Sequence, residues 1–260
     1  MFEDDLRSTT MSKIKVGVQL HPQATAIGAL RDAWIQADAM GVDSIFVWDH
    51  FYPLYGDPDA MHYECWSLLA AIASTTKTAQ FGALVTPVSY RNPDLLADMA
   101  RTVDQLSGGR LIVGLGAGWF QRDYDEYGFE FGTPATRLKA FGEALPRIKA
   151  RIAKLNPGPA GAMPILIGGS GEKVTLRLVA RHAQMWNCIG KTPDEGKRLN
   201  GVLDEWCAKE GTDPAAIERT IAVGADGDIE AWTAAGFNHI ILMAGSPYDL
   251  TPLERFFAAR

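Results

Sequence analysis

The chain has 260 residues, 47% of them hydrophobic and 22% charged, with a formal net charge of −6. That size and balance suit one large α/β domain or two small ones, and an acidic surplus without a basic patch argues against nucleic acid or an anionic membrane surface as partner. No apolar run in the sequence approaches the ~18 residues needed to cross a bilayer.

Residues 1–12 read as a disordered leader. They carry Glu3, Asp4 and Asp5, lack the apolar stretch of a signal peptide, and include a second candidate start at Met11. The domain is therefore expected over 13–260. The first predicted strand is Ile14 to Leu20, and its helix places Leu30, Ala33, Trp34 and Ala37 at helical spacing. A second strand, Ser44 to Trp48, precedes a helix with Trp66, Leu69, Ile72 and Ala73. The third covers Ala79 to Val85. Its helix opens on Asn92-Pro93-Asp94, a side-chain cap, a proline at the first helical position and an acid near the positive end, with Leu95, Leu96, Met99 and Val103 on its buried face.

The fourth strand, Leu111 to Leu115, leads through Phe120 to Pro134, too rich in aromatics and glycine to read as a helix. A helix over about 135–155 follows, which Pro146 should kink. Strand five is Pro164 to Ile167, running into a helix with Val174, Leu178 and Val179. Strand six is Met185 to Ile189, and Thr192-Pro193-Asp194-Glu195 has the form of a capping box. Strand seven, Thr220 to Val223, precedes a short helix through Ile229 and Trp232. Strand eight is His239 to Met243, with a last helix capped at Thr251-Pro252-Leu253-Glu254.

Eight βα units without an internal linker match a single-domain (β/α)8 TIM barrel. A doubly wound sheet also alternates strand and helix, but it fits eight units less well, and the dinucleotide fingerprint is missing. Gly114, Gly116 and Gly118 approach G-x-G-x-x-G, yet Trp119 stands where the last glycine is required. In a barrel, chemistry belongs at the carboxyl ends of the strands.

At those ends the sequence offers His21, then Trp48-Asp49-His50, then the glycine series with Trp119 and Phe120. Histidine is the side chain suited to moving a proton at neutral pH, so His50 is a candidate acid or base, or it is an exposed turn residue. The glycines either allow backbone to approach a ligand or permit close packing. Gly168-Gly169-Ser170-Gly171 at the start of a helix forms a candidate phosphate site; Lys191 beside it is either a ligand or a solvated surface residue. The aromatic loops, including Phe51, Tyr52, Tyr55 and Tyr124, suggest a flat or apolar substrate, or else pack together or at a dimer interface. No metal site is expected, since Gln19-Leu20-His21 is not a His-x-His pair, and no Gly-x-Ser-x-Gly elbow marks a serine hydrolase. Cys65, Cys188 and Cys207 form an odd set with no CxxC, which suits a reduced cytoplasmic protein. Cys65 and Cys207 read as packing residues, and His182 and His239 as helix and strand-flank residues.

From Ile14 to Gly190 the chain resembles the luciferase-like monooxygenase superfamily, in its branch of coenzyme F420-dependent oxidoreductases. The resemblance is carried by Trp48-Asp49-His50-Phe51, Glu64-Cys65-Trp66 and Val85-Thr86-Pro87 with Tyr90-Arg91-Asn92-Pro93. Its strongest pieces are Leu106-Ser107-Gly108-Gly109-Arg110 through Gly118-Trp119, and Pro164 through Gly171. It implies a flavin-shaped tricycle across the barrel mouth, with Asp49 in contact with the deazaflavin and His50 facing the substrate as proton donor or acceptor. Ala83, Leu84 and Val85 would form a bulge with a non-prolyl cis peptide behind the ring, near which Gly116 and Gly118 make room. Gly168, Gly169 and Ser170, with Lys191, would hold the cofactor phosphate. His21, Trp48, Trp119 and Phe120 would line the substrate pocket.

Trp119 replaces an acid that some relatives use at this position. Between the helix ending near Leu155 and strand five there is only Asn156 to Met163, where many relatives insert a longer subdomain. The implied activity is hydride transfer between F420 and a small organic substrate, in a homodimer. The alternatives are an FMN-dependent monooxygenase or reductase of the same superfamily, a non-catalytic deazaflavin-binding barrel, and a phosphosugar-type barrel enzyme using the Gly168–Gly171 corner alone.

Overall fold

Nine short strands follow from the apolar runs: β1 Lys15–Leu20, β2 Ser44–Val47, β3 Gln80–Ala83, β4 Thr86–Pro87, β5 Leu111–Gly116, β6 Ile165–Gly168, β7 Met185–Cys188, β8 Glu218–Val223 and β9 His239–Ala244. They are seen in a computed structural model that describes residues 14–260, so the leader reading for residues 1–12 lies outside the described residues. All pair in parallel, in the order β3-β2-β1-β9-β8-β7-β6-β5-β4, and the sheet closes because β5 pairs with both β3 and β4. The segments β3 and β4 are two halves of one stave, which makes eight staves. A doubly wound sheet would keep two open edges; here the single domain is a (β/α)8 barrel.

The helices are α1 Ile27–Met40, α2 Cys65–Thr75, α3 Pro93–Ser107, α4 Gln121–Tyr127, α5 Pro134–Ile152, α6 Thr175–His182, α7 Pro193–Glu210, α8 Ile229–Ala234 and α9 Leu253–Ala258. Local chemistry explains several starts. The Asn92 side chain accepts from the Asp94 N–H at the head of α3, with Pro93 behind it. Thr192 accepts from the Glu195 N–H, but the Glu195 carboxylate turns to the Lys191 N–H, so the capping box is only half formed.

Other expectations need correction. Leu95 points to solvent, and the buried face of α3 is Leu96, Ala97, Ala100 and Val103. Thr251 does not cap α9; its hydroxyl binds Asp249. Val174 lies outside α6 and is exposed, because an irregular segment over 169–171 and a turn over 172–174 separate that helix from β6. The stretch read as irregular contains α4, a two-turn helix whose inner face buries Asp123 and Tyr124.

The barrel lumen is filled in layers. At the amino-terminal end, Ser44 Oγ lies 2.7 Å from His239 Nε2, and His239 Nδ1 lies 2.6 Å from Glu218 Oε1, while the other Glu218 oxygen, Oε2, pairs with Lys15. Ser44 and His239 are fully enclosed. Above them Phe46, Ile112, Leu166, Met185 and Ile241 make an apolar plug. Higher still, Gln19, Trp48, Leu84, Gly168 and Asn187 face the carboxyl-end mouth. The larger core lies between the sheet and the outer helices, where Cys65, Cys188 and Cys207 are buried free thiols.

Candidate active site

The site begins at the break in the third stave. After Ala83 the chain passes a cis peptide between Leu84 and Val85 and resumes pairing at Thr86. Gln19, from β1, donates to the Leu84 carbonyl at 3.2 Å across the lumen. Val85 is pressed toward β5 and β6. A Cβ at Gly116 would lie 2.6 Å from Val85 Cγ2, and one at Gly168 would lie 3.0 Å from Val85 Cγ1. At Gly114 it would run into the Ala83 carbonyl oxygen. The fit of the broken stave against its neighbours thus already requires these glycines, before any ligand is considered. Gly118 has φ +82° with the Tyr124 hydroxyl where a side chain would go, so both backbone shape and space exclude other residues there.

His50 closes one side. Its ring is almost wholly buried, edge-on to Trp119 and Phe120 at 5.7 and 5.5 Å between centroids. Nδ1 lies 2.7 Å from Asp123 Oδ2. Asp123 is fully buried on α4; it also accepts from the Tyr90 hydroxyl at 2.7 Å and from the Phe51 N–H at 3.0 Å. Three donors converge on a carboxylate that can only accept when ionised. The imidazole proton is thereby placed on Nδ1, leaving Nε2 with a free lone pair and no hydrogen-bond partner among the described residues.

Beside it, Trp48 stacks on His21 at 4.3 Å and donates its indole N–H to His62 Nε2 at 3.0 Å. Burial lowers the pKa of both His21 and His62 to about 4, so both are neutral rings at ordinary pH. His21 Nδ1 meets the Tyr55 hydroxyl at 2.6 Å; its Nε2 is buried without a partner among the described residues.

These elements enclose a cavity of about 420 Å³ at the carboxyl end of the barrel. Leu84 and Val85 form its apolar floor, His50 and Trp119 one wall, and Asn187 and Ile189 the other. Of the residues singled out from sequence, Trp48, Gly116, Gly118, Gly168 and Gly169 also line it. Asp49 does not. It is fully buried below the mouth and held by Arg91 at 2.5 and 3.2 Å, and Arg91 reaches on to Glu64. Burial outweighs the Arg91 charge and raises the Asp49 pKa. Ala83 is enclosed in β3, Phe120 packs behind His50, and His21 lies behind Trp48, all three outside the cavity lining.

The corner between β6 and β7 is a second feature of the mouth. Gly169 has φ +129°, and the Ser170 hydroxyl accepts from the Ile189 N–H at 2.8 Å, tying the two strand ends together. No side chain caps α6, though the Leu176 N–H in its first turn is bound by the Gly171 carbonyl at 3.0 Å. Lys173 and Lys191 lie near this corner in sequence and make no ion pair among the described residues; Lys191 is exposed and does not line the cavity.

The profile of the luciferase-like monooxygenase family matches residues 6–252. The chain belongs to that family. Among luciferase-like relatives, an F420-dependent glucose-6-phosphate dehydrogenase of Amycolatopsis mediterranei is 32% identical over 81% of this chain and 68% of its own length. A 5,10-methylenetetrahydromethanopterin reductase of Archaeoglobus fulgidus is 27% identical over 84% and 67%. The fold matches that of an F420-dependent secondary alcohol dehydrogenase in complex with an F420–acetone adduct, with TM-score 0.83 at 18% identity over 95% of this chain and 98% of that one. It also matches an FMN-bound type II Baeyer–Villiger monooxygenase from Pseudomonas putida, with TM-score 0.73 at 15% identity over 95% and 96%.

Asp123, Tyr90 and the Arg91–Asp49 pair are what sequence reasoning missed. Asp123 stands in a stretch with Asp125 and Glu126, and no local pattern separates the buried acid from its exposed neighbours. The signal was the position: an acid one helical turn beyond Trp119, on the inner face of a helix too short to show a period.

Proposed function

We propose that the chain is an F420-dependent oxidoreductase that transfers hydride between C5 of the deazaflavin and a small organic substrate. The observation that carries this reading is His50, tied through Nδ1 to buried Asp123 while its other edge borders an apolar-floored cavity. The kinship to F420-dependent dehydrogenases and reductases supports the cofactor. The residues present fit it: Leu84 and Val85 offer a flat apolar seat, and the glycine corner of Gly169 and Ser170, with Lys173 and Lys191 close by in sequence, suits its phosphate. When bound, the deazaflavin supplies the hydride acceptor or donor.

The residues of the chain do the rest. His50 Nε2 takes the proton from a substrate hydroxyl in the oxidative direction and, once protonated, returns one to a carbonyl oxygen in the other. Asp123 keeps the ring oriented and stabilises the imidazolium that forms. Asp49, below the mouth, acts with Arg91 to hold the strand end that presents His50. Trp48, backed by His21, screens the site from water.

Titrating the protein with F420 and, separately, with FMN, and following fluorescence, tests the cofactor. Tight F420 binding with weak FMN binding is expected; the reverse overturns the choice and leaves the FMN enzyme. Loss of the reaction in His50→Ala, with F420 still bound, separates an enzyme from a non-catalytic deazaflavin-binding barrel. We carry two further points as part of the reading. Buried free thiols fit a reduced, cytoplasmic setting. A homodimer would cover the open groove between α2 and α3, where Leu95 and Leu106 are exposed; light scattering on the eluted protein measures that directly.

A further inference from the structure

We infer that the substrate is an uncharged alcohol or carbonyl compound with apolar flanks, and not a sugar phosphate. This rests on the oxidoreductase reading and narrows it. Among the described residues no lysine, arginine, aspartate or glutamate lines the cavity, and His50 is the only titratable side chain that does. A phosphate dianion brought into such a space would lose its hydration without gaining a counter-charge, which is strongly unfavourable.

The cations around the mouth offer no remedy. Arg91 is spent on Asp49 and Glu64, and Arg122 on Asp59 and the Pro58 carbonyl. Arg137 is stacked on Phe131 and bound to the carbonyls of Gly118 and Phe131. Lys173 and Lys191 remain, but both belong to the corner that suits the cofactor phosphate. The mouth therefore has provision for one anion, and a phosphorylated substrate bound with the cofactor would need two.

What the rim offers instead is apolar surface. Trp119, after β5, is 61% exposed, and Ile189, after β7, is 67% exposed; they flank the opening, with Met243 of β9 also exposed. A substrate whose apolar flanks cover these side chains removes that surface from water, while its single oxygen meets His50 Nε2. In the oxidative step the carbinol C–H bond would break and its electron pair would leave with the hydrogen as hydride, for which oxidised F420, when bound, would supply the acceptor. The O–H proton passes to His50 Nε2 and a C=O bond forms. Carbon is oxidised by two electrons and the deazaflavin reduced by two.

The test uses the F420-loaded protein with cyclohexanol, with cyclohexanone against reduced F420, and with glucose 6-phosphate. The kcat/KM for cyclohexanol should exceed that for glucose 6-phosphate by about 100-fold or more. In parallel, calorimetric titration should detect cyclohexanone and not the sugar phosphate, and Trp119→Arg should weaken cyclohexanone binding about tenfold. Glucose 6-phosphate bound or turned over as well as cyclohexanol overturns the inference. So does an F420-bound protein that takes neither class. Cyclohexanone binding by a chain that fails to bind F420 keeps the substrate class and rejects the cofactor reading, so the two failures are distinguishable.

Discussion

Replacing Asp123 with asparagine (Asp123→Asn) keeps the volume at a fully buried position and removes the charge. Asp123 Oδ2 accepts from both His50 Nδ1 and Tyr90, each at 2.7 Å, and Oδ1 accepts from the Phe51 N–H at 3.0 Å. An asparagine can keep its oxygen toward Phe51 only by turning its NH2 toward His50. A donor facing Nδ1 requires that nitrogen to accept, so the imidazole proton moves to Nε2. The lone pair that would take the substrate proton is then gone. Losing a positioned general base costs about 10²–10⁴-fold in kcat, or roughly 3–5 kcal/mol of barrier. Exchanging charge-assisted for neutral hydrogen bonds costs about 1.5–3 kcal/mol of stability, so the variant should still fold. The assay pairs cyclohexanol-dependent reduction of F420 with nitrogen NMR of labelled histidine, which reads the tautomer without requiring turnover. A spectrum in which His50 keeps its proton on Nδ1 in Asp123→Asn, or a kcat within about threefold of the parent, would refute this account of the pair.

Three further outcomes follow from the packing. Arg91→Met leaves the Asp49 carboxylate buried without its partner and should lower unfolding stability by about 3–5 kcal/mol; adding Asp49→Asn should return part of it in denaturant titrations. Gly116→Ala places a methyl 2.6 Å from Val85 Cγ2 and should cost about 1–3 kcal/mol. The double variant with Val85→Ala should melt higher than Gly116→Ala alone, and no rescue would mean the glycine serves something other than Val85. His21 titrates at about 4 in the fold against 6.5 unfolded, so between those values the unfolded chain binds a proton that the folded chain refuses. Stability from this group is therefore fully present above pH ~6.5 and falls as pH drops toward ~4, by at most about 3 kcal/mol; because His62 is lowered to about 4 as well, His21→Gln should remove only part of the slope in denaturant midpoints, and His21→Gln with His62→Gln more of it.

The barrel was legible because its signals are local and repeated. Asn92-Pro93-Asp94 caps α3 as its chemistry requires, and the apolar runs became staves within a residue or two of their expected ends. The break at Leu84–Val85 and the Gly168–Ser170 turn were legible through the family resemblance. Illegible were the pairings between distant segments. Asp123 meets His50 across 73 positions of sequence, and Arg91 meets Asp49 across 42. An isolated acid carries no mark of the partner it finds after folding. The glycines of 114–118 taught a related lesson: their type was informative, but their reason proved to be a neighbouring valine and a carbonyl as much as any ligand. Leu95 failed for another reason, since helical periodicity marks an apolar stripe without saying how wide the covered part is.

The lumen below the site is filled by Phe46, Ile112, Leu166, Met185 and Ile241, and beneath them by the enclosed Ser44–His239–Glu218 chain. The barrel is in that sense a cup, not a pipe. Whatever reaches the floor at Leu84 and Val85 must come and go through the same opening that His50 and Trp119 border. Two ligands sharing one door cannot bind in arbitrary sequence when one seats beneath the other. On the proposed reading the ring enters first and leaves last, and the order of the kinetic scheme is set by a plug of five apolar side chains that never touch either ligand.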